Sequence, residues 1–236
     1  SLLVVSRDDA IADLAQFMNR YPEKSRGSDV PERFWKVYSR HVSDMAEAER
    51  WFDLAALHES VWNRTVRRAV NDAHVLTEIA RAYDEVGLPE RAIVVLRDAV
   101  SVLVAKGQDD PVLVYELARL YAEVDRWRDG LDSLTYLDRL GVPETHVSDV
   151  ALLKARLLAG SGDRDGAAQA LRRLAQLPGM RDVATLELAM MDADVGACDR
   201  AGPALRRLLF TPRGEDQYTD PRPWLALSRC LRVQGD

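Results

Sequence analysis

Arginine is the residue type on which any chemistry of this chain must rest. Arg81, Arg119, Arg156 and Arg229 each follow a small residue (Ala80, Ala118, Ala155 and Ser228), and Met190 holds the same place after Ala189. A guanidinium forks onto carboxylates, so a row of them at one height suits a ligand carrying acidic groups. At i−4 from these positions stand Thr77, Tyr115, Leu152, Leu186 and Leu225, an apolar and aromatic shelf; at i+3 stand Asp84, Ala122, Ala159, Ala193 and Arg232. The candidate partner-contacting residues are therefore Arg81, Asp84, Tyr115, Arg119, Leu152, Arg156, Met190, Arg229 and Arg232. A plainer reading stands beside this one. Each arginine is solvated, or paired with an acid such as Glu78, Glu85, Glu116 or Glu123 on its own helix.

Other reactive side chains form no constellation. His41, His58, His74 and His146 are scattered, without the paired spacing of a metal site. Cys198 and Cys230 have no CxxC partner and no nearby histidine, which supports neither zinc nor redox chemistry and leaves the compartment open. The acidic pairs Asp8-Asp9 and Asp109-Asp110 precede helical stretches, where carboxylates stabilise the N-terminal end. No glycine-rich phosphate loop or nucleophile elbow is present. No catalytic residue, metal or cofactor is expected, and the chain reads as a non-enzyme.

Composition narrows the partners. With 30% charged and 47% hydrophobic residues the 236-residue chain is a folded, water-soluble type. A net charge of −6 argues against nucleic acid and anionic membranes as general partners, because both demand a basic surface. Only Lys24, Lys36, Lys106 and Lys154 interrupt an otherwise all-arginine set of cations, a bias that composition of the genome can also produce. Leu2 to Val5 is too short for a signal core or a membrane span. The chain opens at Ser1 and closes just after Gly235, so both ends are expected to be cut from a longer protein, of periplasmic or cytoplasmic location.

The elements that must position the arginines are helices, since apolar residues recur at helical spacing and no run alternates as a strand does. One pattern repeats: a small residue, Tyr or Leu three on, Gly seven on, a second small residue twelve on and Leu sixteen on. It reads Ala80, Tyr83, Gly87, Ala92, Leu96; then Ala118, Tyr121, Asp125, Gly130, Leu134; then Ala155, Leu158, Gly162, Ala167, Leu171; then Ala189, Asp192, Gly196, Ala201, Leu205. A fifth copy starts with Trp224, Leu227, Ser228 and Leu231. Fixed-period self-similarity marks a solenoid, in which each unit buries its apolar face against its neighbours. In each unit the small residues mark close backbone approach between two antiparallel helices, and Gly87 followed by Pro89 suits the turn between them.

The expected organisation is a truncated repeat at 1–22, where Ala10, Leu14, Phe17 and Pro22 match a second helix; an irregular region at 31–71; repeats at 73–105, 111–140, 148–177 and 182–210; and a truncated first helix at 222–236. All form one solenoid domain. Within the irregular region helices are expected at 31–42, 44–58 and 60–71; either the first two pair, which is favoured, or Trp51, Leu54, Ala55 and His58 start a repeat whose second helix is 60–71, leaving 31–42 as an extra helix. Trp35, Trp51 and Trp224 are expected in the core. Trp127 follows Arg126 at a turn, where it packs or offers its ring to a protein or a sugar.

These offsets resemble the tetratricopeptide repeat family, over four repeats in 73–212 and a partial copy at 222–236. Asp125, Gly130 and Asp192 depart from its pattern. The resemblance implies an all-α, right-handed superhelical solenoid of antiparallel helix pairs whose first helices line a concave groove. It also implies a non-catalytic scaffold that holds proteins or peptides by that groove or by the convex face. Asn and Lys, which grip a C-terminal carboxylate in the chaperone clamps of this family, are not at the matching places, where Arg81 and Arg119 stand, so that mode is not carried over. Two alternatives stay open: a periplasmic scaffold of a bacterial exopolysaccharide export or modification complex, and a regulatory domain of a larger multidomain protein. Partners are expected to be proteins or peptides with acidic and apolar residues, with glycan contact a lesser option, no nucleic acid, and no membrane insertion by this segment.

Overall fold

A computed structural model describes residues 6–62, 66–67, 72–210 and 220–234. Among them α-helix and one 3-10 turn at Glu144–His146 make up all the regular structure, so the fold is all-α. The chain divides into two compact units, Ser1–Val124 and Asp125–Asp236.

The first unit holds α1 (Arg7–Arg20), α2 (Pro22–Arg26), α3 (Val30–Glu47), α4 (Trp51–Val61), α5 (Ala73–Glu85), α6 (Pro89–Ala105) and α7 (Pro111–Glu123). Helix α1 packs on α3 and α4, α4 on α5, and α6 on α5 and α7. The α5–α6 pair shows how sequence makes the unit. Asp72 caps α5 by accepting from the backbone N–H groups of His74 (3.0 Å) and Val75 (3.5 Å), as Asp110 caps α7. Gly87 turns the chain at φ 74°, a left-handed conformation that a Cβ would oppose, and Pro89 opens α6, where its missing N–H is no loss. Ala80 and Ala92 are buried between the helices, with Tyr83 and Leu96 beside them.

The region 31–58 differs from expectation. In place of helices at 31–42 and 44–58, one helix runs unbroken through Ser43 and Asp44 to Glu47, and the next begins at Trp51. Ser43-Asp44 resembles a cap, yet the apolar stripe Phe34, Tyr38, Val42, Met45 continues across it and is buried throughout. Asp44 instead pairs with Arg7 of α1. The chain turns at Glu49, which takes φ 52° without being glycine. The expected helix 60–71 lies partly outside the described residues, as do Thr211 and Gly235.

The second unit holds α8 (Trp127–Leu140), α9 (Val147–Gly160), α10 (Arg164–Leu174), α11 (Arg181–Asp194), α12 (Cys198–Phe210) and α13 (Arg222–Gln234). Each packs on the next, and α11 also meets α13. Gly162 and Gly196 take φ 91° and 75° at the turns within pairs, and Asp125 takes φ 59° at the equivalent turn before α8. Asp125, a departure from the repeat pattern, thus adopts the conformation that glycine holds elsewhere. Trp127 opens α8 half-buried, its ring lying where a Cβ on Gly160 would stand, 2.5 Å from that point. Trp35, Trp51 and Trp62 pack at the edge of the first unit's core, whereas Trp224 is 39% exposed and lies edge-on to Phe210, contrary to the core role expected of it. Cys198 and Cys230, both buried, form a disulfide that ties α12 to α13. Nothing in their spacing signalled this pairing.

Candidate partner-binding cleft

In the first unit the exposed faces of α5 and α7 border a cleft of about 340 Å³. Its walls are Thr77, Ala80, Arg81, Asp84 and Glu85 of α5 and Glu116, Arg119 and Leu120 of α7, over a floor that includes Leu96 of α6. Three candidates from the sequence, Arg81, Asp84 and Arg119, therefore come together here. Tyr115 is half-buried on α7 and does not line the cleft.

Arg119 is held on every side. Its Nε donates to Glu116 at 2.7 Å, and its two terminal nitrogens donate to Glu123 and to Asp84 on the neighbouring first helix. Burial disfavours its charge, and the hydrogen bonds to Glu116 and Asp84 outweigh that, so its pKa stands above the ordinary arginine value. Arg81 is looser: it lies over the Trp51 ring at 4.7 Å and stands 3.9 Å from Glu85. Own-helix pairing thus occurs at both arginines, and Arg119 adds a bridge between repeats.

The second unit repeats the device. Arg156 of α9 donates through Nε to Glu187 of α11 at 2.8 Å, and Arg229 of α13 meets Asp194 of α11 at 3.0 Å. Asp220 accepts from Arg222, which holds its carboxyl below the usual range, with Arg156 contributing less. Leu152 and Met190 are half-buried beside the apolar clusters of this unit, while Arg232 is exposed. The leucine shelf is uneven, since Leu186 is buried and Leu225 is exposed.

Between α4 and α5 lies a polar network that sequence reasoning missed. Tyr83 donates its hydroxyl proton to Glu59 at 3.1 Å, so His58 Nδ1, 2.7 Å from the same oxygen, is the donor to it. The other ring nitrogen of His58 is buried without a partner. Burial, aided by Arg91, lowers the His58 pKa to about 3, and burial raises that of Tyr83. Among the described residues no group of three or more potential ligands is placed to hold a metal ion, and no helix is long and apolar enough to cross a membrane.

No model of a known protein family matches the chain, and neither does any curated protein. Solved structures do. MamA AMB-1 aligns at 17% identity over 72% of this chain and 94% of that one, with a TM-score of 0.54. MamA MSR-1 aligns at 15% identity over 84% and 95%, with a TM-score of 0.53. At such identities the likeness concerns the fold, which is an all-α helical solenoid of tetratricopeptide type.

Proposed function

We propose that this protein is a non-catalytic scaffold that binds a peptide segment of a partner protein along the faces of its first helices. The observation that carries this reading is the cleft between α5 and α7, where Arg81, Asp84 and Arg119 converge over Leu96 and Leu120. Apolar area at its floor would supply affinity, and charged groups at its rim would set orientation. Arg119 works inward on Asp84 and Glu116, joining two repeats, and the lining as a whole sets the carboxylates Asp84, Glu85 and Glu116 against the guanidinium groups of Arg81 and Arg119, a net negative balance. That balance favours a basic side chain next to an apolar anchor. It reverses the acidic partner expected from the arginine row alone, because that row is already matched by carboxylates of the neighbouring helices.

The test uses captured partner protein and two substitutions that spare the contacts of Arg119. Thr77→Arg fills the cleft and should abolish retention of the partner; Glu85→Lys should weaken it about tenfold. Unchanged affinity in Thr77→Arg, with helicity intact by circular dichroism, would overturn the site. Tighter binding by Glu85→Lys would overturn the basic ligand.

One observation favours a second reading for location. The buried Cys198–Cys230 pair supports service in an oxidising compartment such as the periplasm, where disulfides persist.

A further inference from the structure

A second pocket, of about 450 Å³, lies in the first unit and shares no lining residue with the cleft between α5 and α7. Asp98, Val102 and Ala105 reach it from α6, where steps of four and three residues set them on one face, and Lys106 follows at the end of that helix. Leu76 of α5 and Trp62, just after α4, extend the apolar wall, and Arg67 adds to the polar side. The acid sets this pocket apart. Asp98 Oδ1 accepts from a terminal nitrogen of Arg67, while Oδ2 is buried without a hydrogen-bond partner. A buried acceptor in that state calls for a donor. That bond uses one of the five N–H donors a guanidinium carries, and the Arg67 side chain is 54% exposed against 16% for Asp98. The pocket therefore combines an acceptor within, cationic donors further out and an apolar wall beside both.

We propose that this pocket binds a free α-amino acid with a large apolar side chain. Its ammonium group donates to Asp98 Oδ2, its carboxylate accepts from further N–H groups of Arg67 within the field of Lys106, and its side chain lies against Leu76, Val102 and Trp62. Oδ2 is closed to water in the free chain, so the ligand enters as the half-exposed Arg67 side chain turns outward. The balance of charge selects a zwitterion. A plain cation meets Arg67 and Lys106 against the one acid, and a plain anion meets the unsatisfied carboxylate oxygen of Asp98. The end of a polypeptide offers an ammonium or a carboxylate on its last residue but not both, which separates this ligand from the peptide segment proposed for the cleft.

Isothermal titration of the whole chain with three probes tests this: L-phenylalanine, 3-phenylpropionate, which lacks the ammonium group, and phenethylamine, which lacks the carboxylate. L-phenylalanine should bind, and each of the other two should bind at least about tenfold more weakly, because each leaves a polar group of the pocket unmatched. Asp98→Asn should weaken L-phenylalanine about tenfold and spare 3-phenylpropionate; Arg67→Gln should weaken L-phenylalanine by a similar factor and spare phenethylamine. Ala105 is exposed on the pocket wall, so Ala105→Trp should fill the pocket and abolish binding of all three with helicity unchanged. Absence of binding by L-phenylalanine at millimolar concentration overturns the proposal. Equal binding of the three probes, the mark of an apolar slot alone, overturns it too, as does binding that survives Ala105→Trp and therefore lies elsewhere on the chain.

Discussion

Two residues with left-handed backbone stand where glycine would be the easy choice, and each makes a stability prediction. Glu49 and Asp125 take φ 52° and 59° at the turns before α4 and α8. A side chain in that region costs on the order of 1 kcal/mol, less for Asp than for Glu, so Glu49→Gly and Asp125→Gly should each raise the denaturant midpoint, with the larger gain at 49. An unchanged or lower midpoint would contradict the assigned conformations. His58 makes a pH prediction. Its folded pKa of about 3 lies below the ordinary 6.5, so the unfolded chain binds the proton first. The stabilisation from burying the neutral ring is complete above pH 6.5 and should be lost progressively as pH falls toward 3, and His58→Phe should flatten that part of the profile. The Asp125 position was readable from the repeat, because it falls where Gly87, Gly162 and Gly196 stand. The role of His58 was not, since its partners Tyr83 and Glu59 come from different helices and only packing brings them together.

At the scale of elements, the small residues told where helices approach, and the turn chemistry told where they end, from Gly87-Leu88-Pro89 onward. The break between α3 and α4 was not legible, because the capping look of Ser43-Asp44 competed with an apolar stripe that carries the helix on to Glu47. Contact between α8 and α9 depends on a residue the sequence did not single out. A Cβ at Gly160 would fall 2.5 Å from the Trp127 ring, so Gly160→Ala should cost about 1–3 kcal/mol despite the better helix propensity of alanine. A neutral or stabilising result in urea denaturation would show that the ring is free to move. The disulfide between α12 and α13 closes a sequence separation of 32 residues, worth about 4 kcal/mol by chain-entropy reasoning. Reductant should lower the melting temperature, and Cys230→Ala should lower it similarly and abolish further sensitivity to reductant. Equal melting with and without reductant would mean the bond does not form.

Across the whole molecule, the arginine row was visible in the sequence and its meaning was not. Spacing placed Arg119, Arg156 and Arg229 at the same position of the first helices α7, α9 and α13, with Met190 there on α11, but the carboxylates that meet them, Asp84, Glu187 and Asp194, each lie on a neighbouring first helix. Pairing across a repeat boundary is decided by side-chain reach, which a one-dimensional pattern does not hold. The charged groups of these helices are mostly matched to one another, and the proposed function rests on the cleft between α5 and α7. Site-specific photo-crosslinking tests that central claim most directly, with the photoreactive side chain placed at Thr77 in the cleft or at Val94, exposed on the outside of α6. The account predicts that the probe at 77 captures a partner protein through a short contiguous peptide and the probe at 94 does not. Capture from 94 with none from 77 would contradict it.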